Sequence, residues 1–399
     1  MSGLVIDPKK CTRCGLCIQQ CPFNAMAMVE GQVQINAACK MCRMCLRNCP
    51  SQAISEQTDA PQPQIDKSQW HDILVYVEHS DGRIHPVTLE LIGKAQELAQ
   101  VIGQEVNCLM IGDQIEAAAD SLLDYGVANV YLYEDPRLKY FRADNYTEVF
   151  EDCIQRSHPT VVLVGATVSG RSLAPRTAAR FRTGLTADCT VLEMRENTDL
   201  VQIRPAFGGN IMAQILNTNH RPQFATVRYK VMDAAQKQAR IGQVVSCSID
   251  SAKLDSKIEW LKIEKKELEV SISDAEILVA VGRGVKDEKT LALIETLAQR
   301  LHAQMACSRP FVESGRYDVK KQIGLSGRTV KPKLILTFGI SGAIQFTAGM
   351  KGAEKIIAVN TDPQAPIFDL AHVAVVGDAG LIAENMLKEM EGEAVCSAN

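Results

Sequence analysis

The chain has no apolar run approaching the ~18 residues of a bilayer-spanning helix. Its longest uncharged stretch, Leu334 to Met350, is broken by Gly, Ser, Thr and Gln. It has no basic surplus. Lys and Arg number 43 against 47 Asp and Glu, a net charge of −4, which argues against a nucleic-acid binder. There is no Walker loop, no Ser-His-Asp pattern, and no metal-ligand spacing among the seven histidines. The N-terminal Met-Ser-Gly-Leu-Val-Ile-Asp-Pro has no hydrophobic signal core. What is present is 46% hydrophobic residues in 399, too apolar for disorder and long enough for two or three domains. The expectation is a soluble, cytoplasmic protein.

Of the 14 cysteines, eight lie between Cys11 and Cys49. A disulfide framework needs an oxidising compartment and a small secreted chain, so clustered cysteines here point to metal. Cys11, Cys14, Cys17 and Cys21 precede Pro22; Cys39, Cys42, Cys45 and Cys49 precede Pro50. Both segments read C-x2-C-x2-C-x3-C-P, the spacing of bacterial ferredoxins with two [4Fe–4S] clusters. Three thiolates two residues apart wrap three corners of a cubane. The fourth lies too far along the chain and serves the other cluster. That assigns Cys11, Cys14, Cys17 and Cys49 to one cluster, and Cys39, Cys42, Cys45 and Cys21 to the second. Zinc leaves the third close Cys and the Pro unexplained.

The repeat defines a ferredoxin-like α+β module over residues 1–57. A polar stretch with Pro61 and Pro63 reads as a linker over 58–69. From residue 70 onward short β-branched runs alternate with helical patterns, which predicts α/β architecture with parallel sheets. Two Rossmann-like parallel-sheet domains are expected, over 70–274 and 275–399. Strands are expected at Ile73–Val77, Val106–Ile111, Val130–Tyr133, Thr160–Val164 and Phe224–Arg228, and two short ones at Ile258–Ile263 and Glu269–Ile272. In the second domain they fall at Ile277–Val281, Leu334–Phe338, Lys355–Val359 and Val373–Val376. Gly282-Arg283-Gly284 reads either as a nucleotide turn or as a tight strand-to-helix turn. The stretch Leu336 to Met350 runs a strand into a small-residue turn whose free amides suit a phosphate. Asn360 and Asp362 follow at a strand's carboxyl end, where open sheets bind nucleotides.

At these residues the chain resembles the α subunit of electron transfer flavoprotein, over roughly 70–399. Gly-Arg-Gly, Cys-Ser-Arg, Gln-Ile-Gly-Leu-Ser-Gly, Gly-Ile-Ser-Gly-Ala-Ile-Gln and Asn-x-Asp-Pro occur in family order. The resemblance implies an FAD in the C-terminal domain, beside a β subunit. It implies contacts from Arg283 and Ser308, and Arg309 near the isoalloxazine. Ile323, Gly324, Leu325 and Ser326 match the segment lining the ring. Ser341, Gly342, Ala343, Ile344 and Gln345 match the pyrophosphate and ribityl loop, and Asn360 and Asp378 the adenosine end. Phe346 stands where many relatives have His, and Leu325 where Gln is common.

Gly165 to Arg180 resembles the family segment facing the β subunit. Arg171 or Arg176 either approaches a second nucleotide or packs at that interface. The fused ferredoxin module implies flavin-based electron bifurcation. In that scheme NADH delivers electrons to the β subunit's FAD, one passing to ferredoxin and the other to a partner dehydrogenase, of the acyl-CoA type by expectation and of the lactate type as the alternative. The alternatives are a one-electron carrier whose module docks or wires a redox partner, and an unrelated nucleotide-binding α/β protein. The family further implies a mobile C-terminal domain, with the chain bending near Lys262–Ser273.

Overall fold

The computed structural model describes residues 3–29, 31–36, 38–57, 65–209, 211–264 and 271–396. They form two compact units, Met1–Ile65 and Asp66–Asn399.

The first unit is built from two antiparallel strand pairs and two one-turn helices. Gly3–Ile6 pairs with Ile54–Gln57, and Met26–Val29 with Gln32–Ile35. The helices are Leu16–Gln19 and Met44–Arg47. Met26, Val33 and Ile54 form its small core with Leu4, Ile6 and Ile18. The two halves repeat in backbone conformation as well as in sequence. Left-handed residues occur at Arg13 and Met41, at Gly15 and Arg43, and at Asn24 and Gln52, each pair 28 residues apart. Non-glycine residues adopt this conformation at a cost of ~1 kcal/mol or more, so the same turns have been kept in both halves for the loops they shape.

The second unit holds two parallel sheets. The larger has seven strands, in the order Leu185–Cys189, Gln223–Val227, Val161–Gly165, Ile73–Tyr76, Val106–Gly112, Asn129–Glu134 and Gln243–Cys247. Every pairing is parallel. Side chains alternate across it: Ile73 and Val75 face a core with helix Pro86–Ile102, while Leu74 and Tyr76 face one with helices Ala143–Ser157 and Val168–Arg180. That period of two lets a wholly apolar strand bury both faces. A three-stranded antiparallel sheet, Val191–Met194, Leu200–Ala206 and Ile211–Leu216, packs Leu192 and Leu200 into the first core. The buried Asp199 accepts from the fully buried Arg221 (2.9 Å) and from Lys67 (2.7 Å). Burial alone raises its pKa; the two cations outweigh burial and hold the carboxyl below its usual range. Lys67–Gln69 is thus a 3-10 turn tied into this unit, while 58–64 lie outside the described residues.

The smaller sheet has the order Gln304–Cys307, Ile277–Val281, Leu334–Phe338, Lys355–Asn360 and Val373–Val376, again all parallel. Helices Glu288–Arg300 and Ala379–Cys396 cover one face.

Ile258–Ile263 is not a strand. Its apolar residues are exposed, Leu261 at 90%, and no strand among the described residues pairs with it. The strand expected at Glu269–Ile272 begins on, and the bend near Lys262–Ser273 falls largely on, 265–270, outside the described residues. Strands not expected among the described residues include the three antiparallel ones, the short pair His79–Ser80 and Arg83–Ile84, Gln243–Cys247 and Gln304–Cys307. Leu185–Cys189, within a marked motif, is a strand too.

Candidate cofactor sites

The ferredoxin-like unit gathers its eight thiols around two cavities. Cys11, Cys14, Cys17 and Cys49 line one, with Gly15 and Pro50. Cys21, Cys39, Cys42 and Cys45 line the other, with Pro22 and Lys40. The fourth cysteine of each half therefore joins the three close cysteines of the opposite half. Backbone amides donate to these fourth sulfurs in matching fashion, Ala25 to Cys21 Sγ (3.3 Å) and Ala53 to Cys49 Sγ (3.4 Å). Burial opposes the Cys49 thiolate, but the Ser51 hydroxyl and surrounding amides outweigh it and lower its pKa. Four thiols around a small cavity, backed by N–H donors to sulfur, fit a four-iron cluster, whose potential such hydrogen bonds tune.

The second candidate site lies at the carboxyl ends of the five-stranded sheet. Its strand order, 2-1-3-4-5 along the chain, reverses between Ile277–Val281 and Leu334–Phe338. Ligands bind outside the strand ends at such a switch point. There a cleft of about 680 Å³ opens, within the size range of cofactor pockets. Arg283, Ser308, Arg309, Ile323, Leu325, Ser326, Ser341, Ala343, Gln345, Phe346 and Asn360 all line it.

Its polar groups fall into two kinds. Some are already committed. Asn360 donates to the carbonyl of Ile340 (2.8 Å) and accepts from the Asp362 amide (3.0 Å), so it shapes the turn. Arg309 Nε pairs with Glu313 (2.8 Å) on the exposed rim. Others have spare capacity. The side chains of Arg283, Lys286, Ser341 and Gln345, and the amides of Ser341, Gly342 and Ala343, have no protein partner among the described residues. Gln322 donates to the Ser326 oxygen (2.8 Å), leaving that hydroxyl's hydrogen for an acceptor in the cleft. Two free cations and unpaired turn amides suit a pyrophosphate. The apolar wall of Ile323, Leu325 and Phe346 suits a flat ring.

Four of the expected residues stand behind this lining. Gly324 and Gly342 shape the loops. Gly342 has φ +88°, and a Cβ on it falls 2.1 Å from the Ile367 amide, so only glycine fits. Ile344 begins the short helix Ile344–Thr347. Asp378 lies outside the cleft, accepting from the amides of Gly380 and Leu381 at the start of the last helix.

Comparison with known proteins agrees with this geometry. Residues 73–252 match the electron transfer flavoprotein domain, 271–351 the electron transfer flavoprotein FAD-binding domain, and 4–27 a 4Fe-4S binding domain. A lactate dehydrogenase (NAD(+),ferredoxin) subunit LctC from Acetobacterium woodii is 55% identical over 93% of this chain and 89% of its own. An electron transfer flavoprotein subunit alpha from Clostridium acetobutylicum is 37% identical over 82% and 99%. The protein FixB of Azorhizobium caulinodans is 38% identical over 77% and 85%. The chain belongs to the electron transfer flavoprotein α-subunit family. It carries the family's FAD-binding domain and, ahead of it, a 4Fe-4S domain.

The FAD-binding domain matched over 271–351 contains most of this cleft, and its free cations and amides are of the kind that suit a dinucleotide's phosphates. Lys286, Gln322 and Pro366 were not among the expected site residues but also line the cleft, although Gln322 opens the Gln-Ile-Gly-Leu-Ser-Gly motif. Asp362, noted in the sequence for its strand-end position, lines it as well. Arg171 makes two bonds to Asp188, at 3.1 and 2.9 Å, so its guanidinium is engaged within the chain. No helix among the described residues is long and apolar enough to cross a membrane.

Proposed function

We propose that the chain is the α subunit of a complex that divides electrons from NADH between ferredoxin and a partner dehydrogenase. The observation that carries this reading is the pair of four-cysteine cavities fused to an FAD-binding chain. An electron carrier shuttling between one donor and one acceptor has no need of them. FAD and the iron–sulfur clusters supply the one-electron carriers; the chain holds them and sets their surroundings. In this reading 1–57 is a ferredoxin domain with two [4Fe–4S] clusters, 58–69 a linker whose last residues are tied into the next domain, 70–274 the domain that meets the β subunit, and 275–399 the FAD domain. Arg283, Ser341 to Gln345 and Lys286 hold the phosphates, and Ser326, Leu325 and Phe346 meet the ring. Of the two partner types, a 2-hydroxyacid dehydrogenase is favoured over an acyl-CoA dehydrogenase, because the 55% identical relative is a subunit of a lactate dehydrogenase. The compartment in this reading is the cytoplasm.

Stopped-flow reduction of the purified complex by NADH tests the division. Partner reduction should require oxidised ferredoxin. Full-rate partner reduction without ferredoxin would leave a simple carrier whose module only docks or wires. Anaerobic analysis should find about eight iron and eight sulfide per chain, and Cys21→Ala should empty the Cys39, Cys42 and Cys45 site while sparing the other. Zinc without sulfide would remove the cluster reading altogether.

A further inference from the structure

Leu325 lines the flavin cleft, yet residues far away in sequence hold it. Its amide donates to the carbonyl of Gln345 within the FAD domain (2.8 Å). Its own carbonyl accepts from Arg228 Nη2 (2.8 Å), a residue just past strand Gln223–Val227 of the larger sheet. Its side chain abuts Gly209, in the turn between two antiparallel strands. A Cβ on Gly209 falls 2.4 Å from Leu325 Cδ1, and φ there is +92°. The peptide and the side chain of one cleft residue are thus gripped by two elements of the neighbouring domain.

Arg228 is itself braced. The same Nη2 lies 3.5 Å from Asp188 Oδ2, and Asp188 Oδ1 takes the two bonds from Arg171. Asp188 sits in a left-handed backbone conformation (φ 60°), inside the register shift between Thr186 and Cys189. That irregularity turns the carboxylate towards both arginines. The Arg228 side chain is 16% exposed, and its Nε is buried with no protein partner. A guanidinium kept this dry with a donor unused is costly as a mere packing element. It is placed for the one carbonyl it reaches across the domain boundary.

We propose that Arg228 is a positioning residue for the flavin: braced by Asp188 and assisted by Gly209, it clamps the cleft wall at Leu325 against the neighbouring domain and sets the fraction of molecules in which the FAD domain is docked in this orientation. The proposal rests on FAD occupying the cleft. Lys331 also pairs with Asp233 across the same boundary (2.7 Å), but Lys331 does not line the cleft.

The test uses the full chain, FAD-loaded and purified with its β subunit. Encoded non-cysteine labels go at the exposed Val101 and Leu381. Arg228→Ala should keep its FAD and its thermal midpoint within a few degrees. It should lower the docked fraction in the label-distance distribution about tenfold, the equivalent of one charge-assisted hydrogen bond. The visible circular dichroism of the bound FAD should change with it. Arg228→Lys should restore much of both signals. An unchanged distance distribution and unchanged dichroism in Arg228→Ala would overturn the clamp, as would equal losses in the Ala and Lys variants that track a falling thermal midpoint. Should Arg228→Ala not fold, Arg228→Gln repeats the measurement. Failure of the FAD reading itself looks different: Gly342→Val would then leave the FAD content intact.

Discussion

The two parallel sheets of the second unit share a topology rule but not its outcome. Each has a point where strand order reverses between adjacent strands, and a crevice position at that point. In the seven-stranded sheet the position lies between Ile73–Tyr76 and Val161–Gly165, and the protein has filled it. Glu78 bonds to Thr167, the residue that caps helix Val168–Arg180. Thr88 accepts from the Glu78 amide (3.1 Å). Nearby, Glu90 accepts from the Lys230 amide with both carboxylate oxygens (2.9 and 3.2 Å). In the five-stranded sheet the same position is open and faces Arg283, Lys286 and Arg309. Buried carboxylates repel a phosphate at one crevice and free cations attract it at the other. Topology offers the place; the charge and spare bonding capacity of a few side chains decide whether it binds.

The strongest way to break that contrast is to close the open crevice. Gly342→Val forces a side chain onto the Ile367 amide and off a left-handed turn. FAD content, read from the visible spectrum of the purified complex, should fall more than tenfold. Retained FAD would place the cofactor elsewhere.

The filled crevice should reveal itself through pH. Burial pushes the Glu90 carboxyl up to about 7, with the Lys230 amide and ammonium only partly offsetting it, and burial also raises Glu78 despite its bond to Thr167. A carboxyl with a raised folded pKa binds its proton more tightly in the native state. Stability is therefore greatest below the unfolded value near 4.5 and falls as pH rises through about 7. Glu90→Gln should remove much of that slope, on the order of 1–3 kcal/mol between pH 5 and 8, as thermal melts across pH would show. An unaltered slope would mean that Glu90 is not its source. A smaller effect follows from emptying the plug. Glu78→Ala should cost about 1–2 kcal/mol through the lost Thr167 bond, and the FAD-to-protein ratio should stay at its wild-type value. A gain of bound nucleotide would show that the carboxylate alone had kept the crevice closed.

The open crevice was more legible in the sequence than the filled one, for a physical reason. Motifs such as Gly-Ile-Ser-Gly leave small residues and free amides where a ligand must approach, and that pattern stands out without coordinates. The eight cysteines were equally plain, since their spacing sorts them into two sets and the structure gathers the same two sets. Glu78 and Thr167 lie 89 residues apart; Thr167 falls in the marked segment Gly165 to Arg180, but Glu78 belongs to no motif, and only the fold brings them together. Leu334–Phe338, with one Thr, and Val373–Val376 were readable because nearly continuous apolar runs mark strands of a parallel sheet. Gln304–Cys307 and Ile211–Leu216 mix polar and apolar residues at sheet edges, and Ile258–Ile263 has the apolar content of a strand but no strand partner among the described residues. Arg228 was missed because its target is a backbone carbonyl, which no sequence pattern displays.

The finest test of the contrast concerns spare charge rather than space. In the filled crevice region Arg171 is tied to Asp188 by two bonds. In the open one Arg309 is tied to Glu313 by one, through Nε, on a rim where both are more than half exposed. Its two terminal nitrogens have no partner among the described residues, and the residue lines the cleft. A cation beside a flavin favours the reduced, more negative form, so Arg309→Ala should lower the FAD midpoint potential with FAD still bound. Exposure screens the effect, which limits it to about 30–60 mV, at most one tenfold step in a one-electron equilibrium. Glu313→Gln should shift the potential the opposite way and by less, because removing the carboxylate unmasks the guanidinium without moving it. Spectroelectrochemical titration of the two variants reads both shifts. If Arg309→Ala leaves the potential unchanged at full FAD occupancy, the guanidinium serves only the ion pair on the rim, and the crevice draws its charge from Arg283 and Lys286 alone.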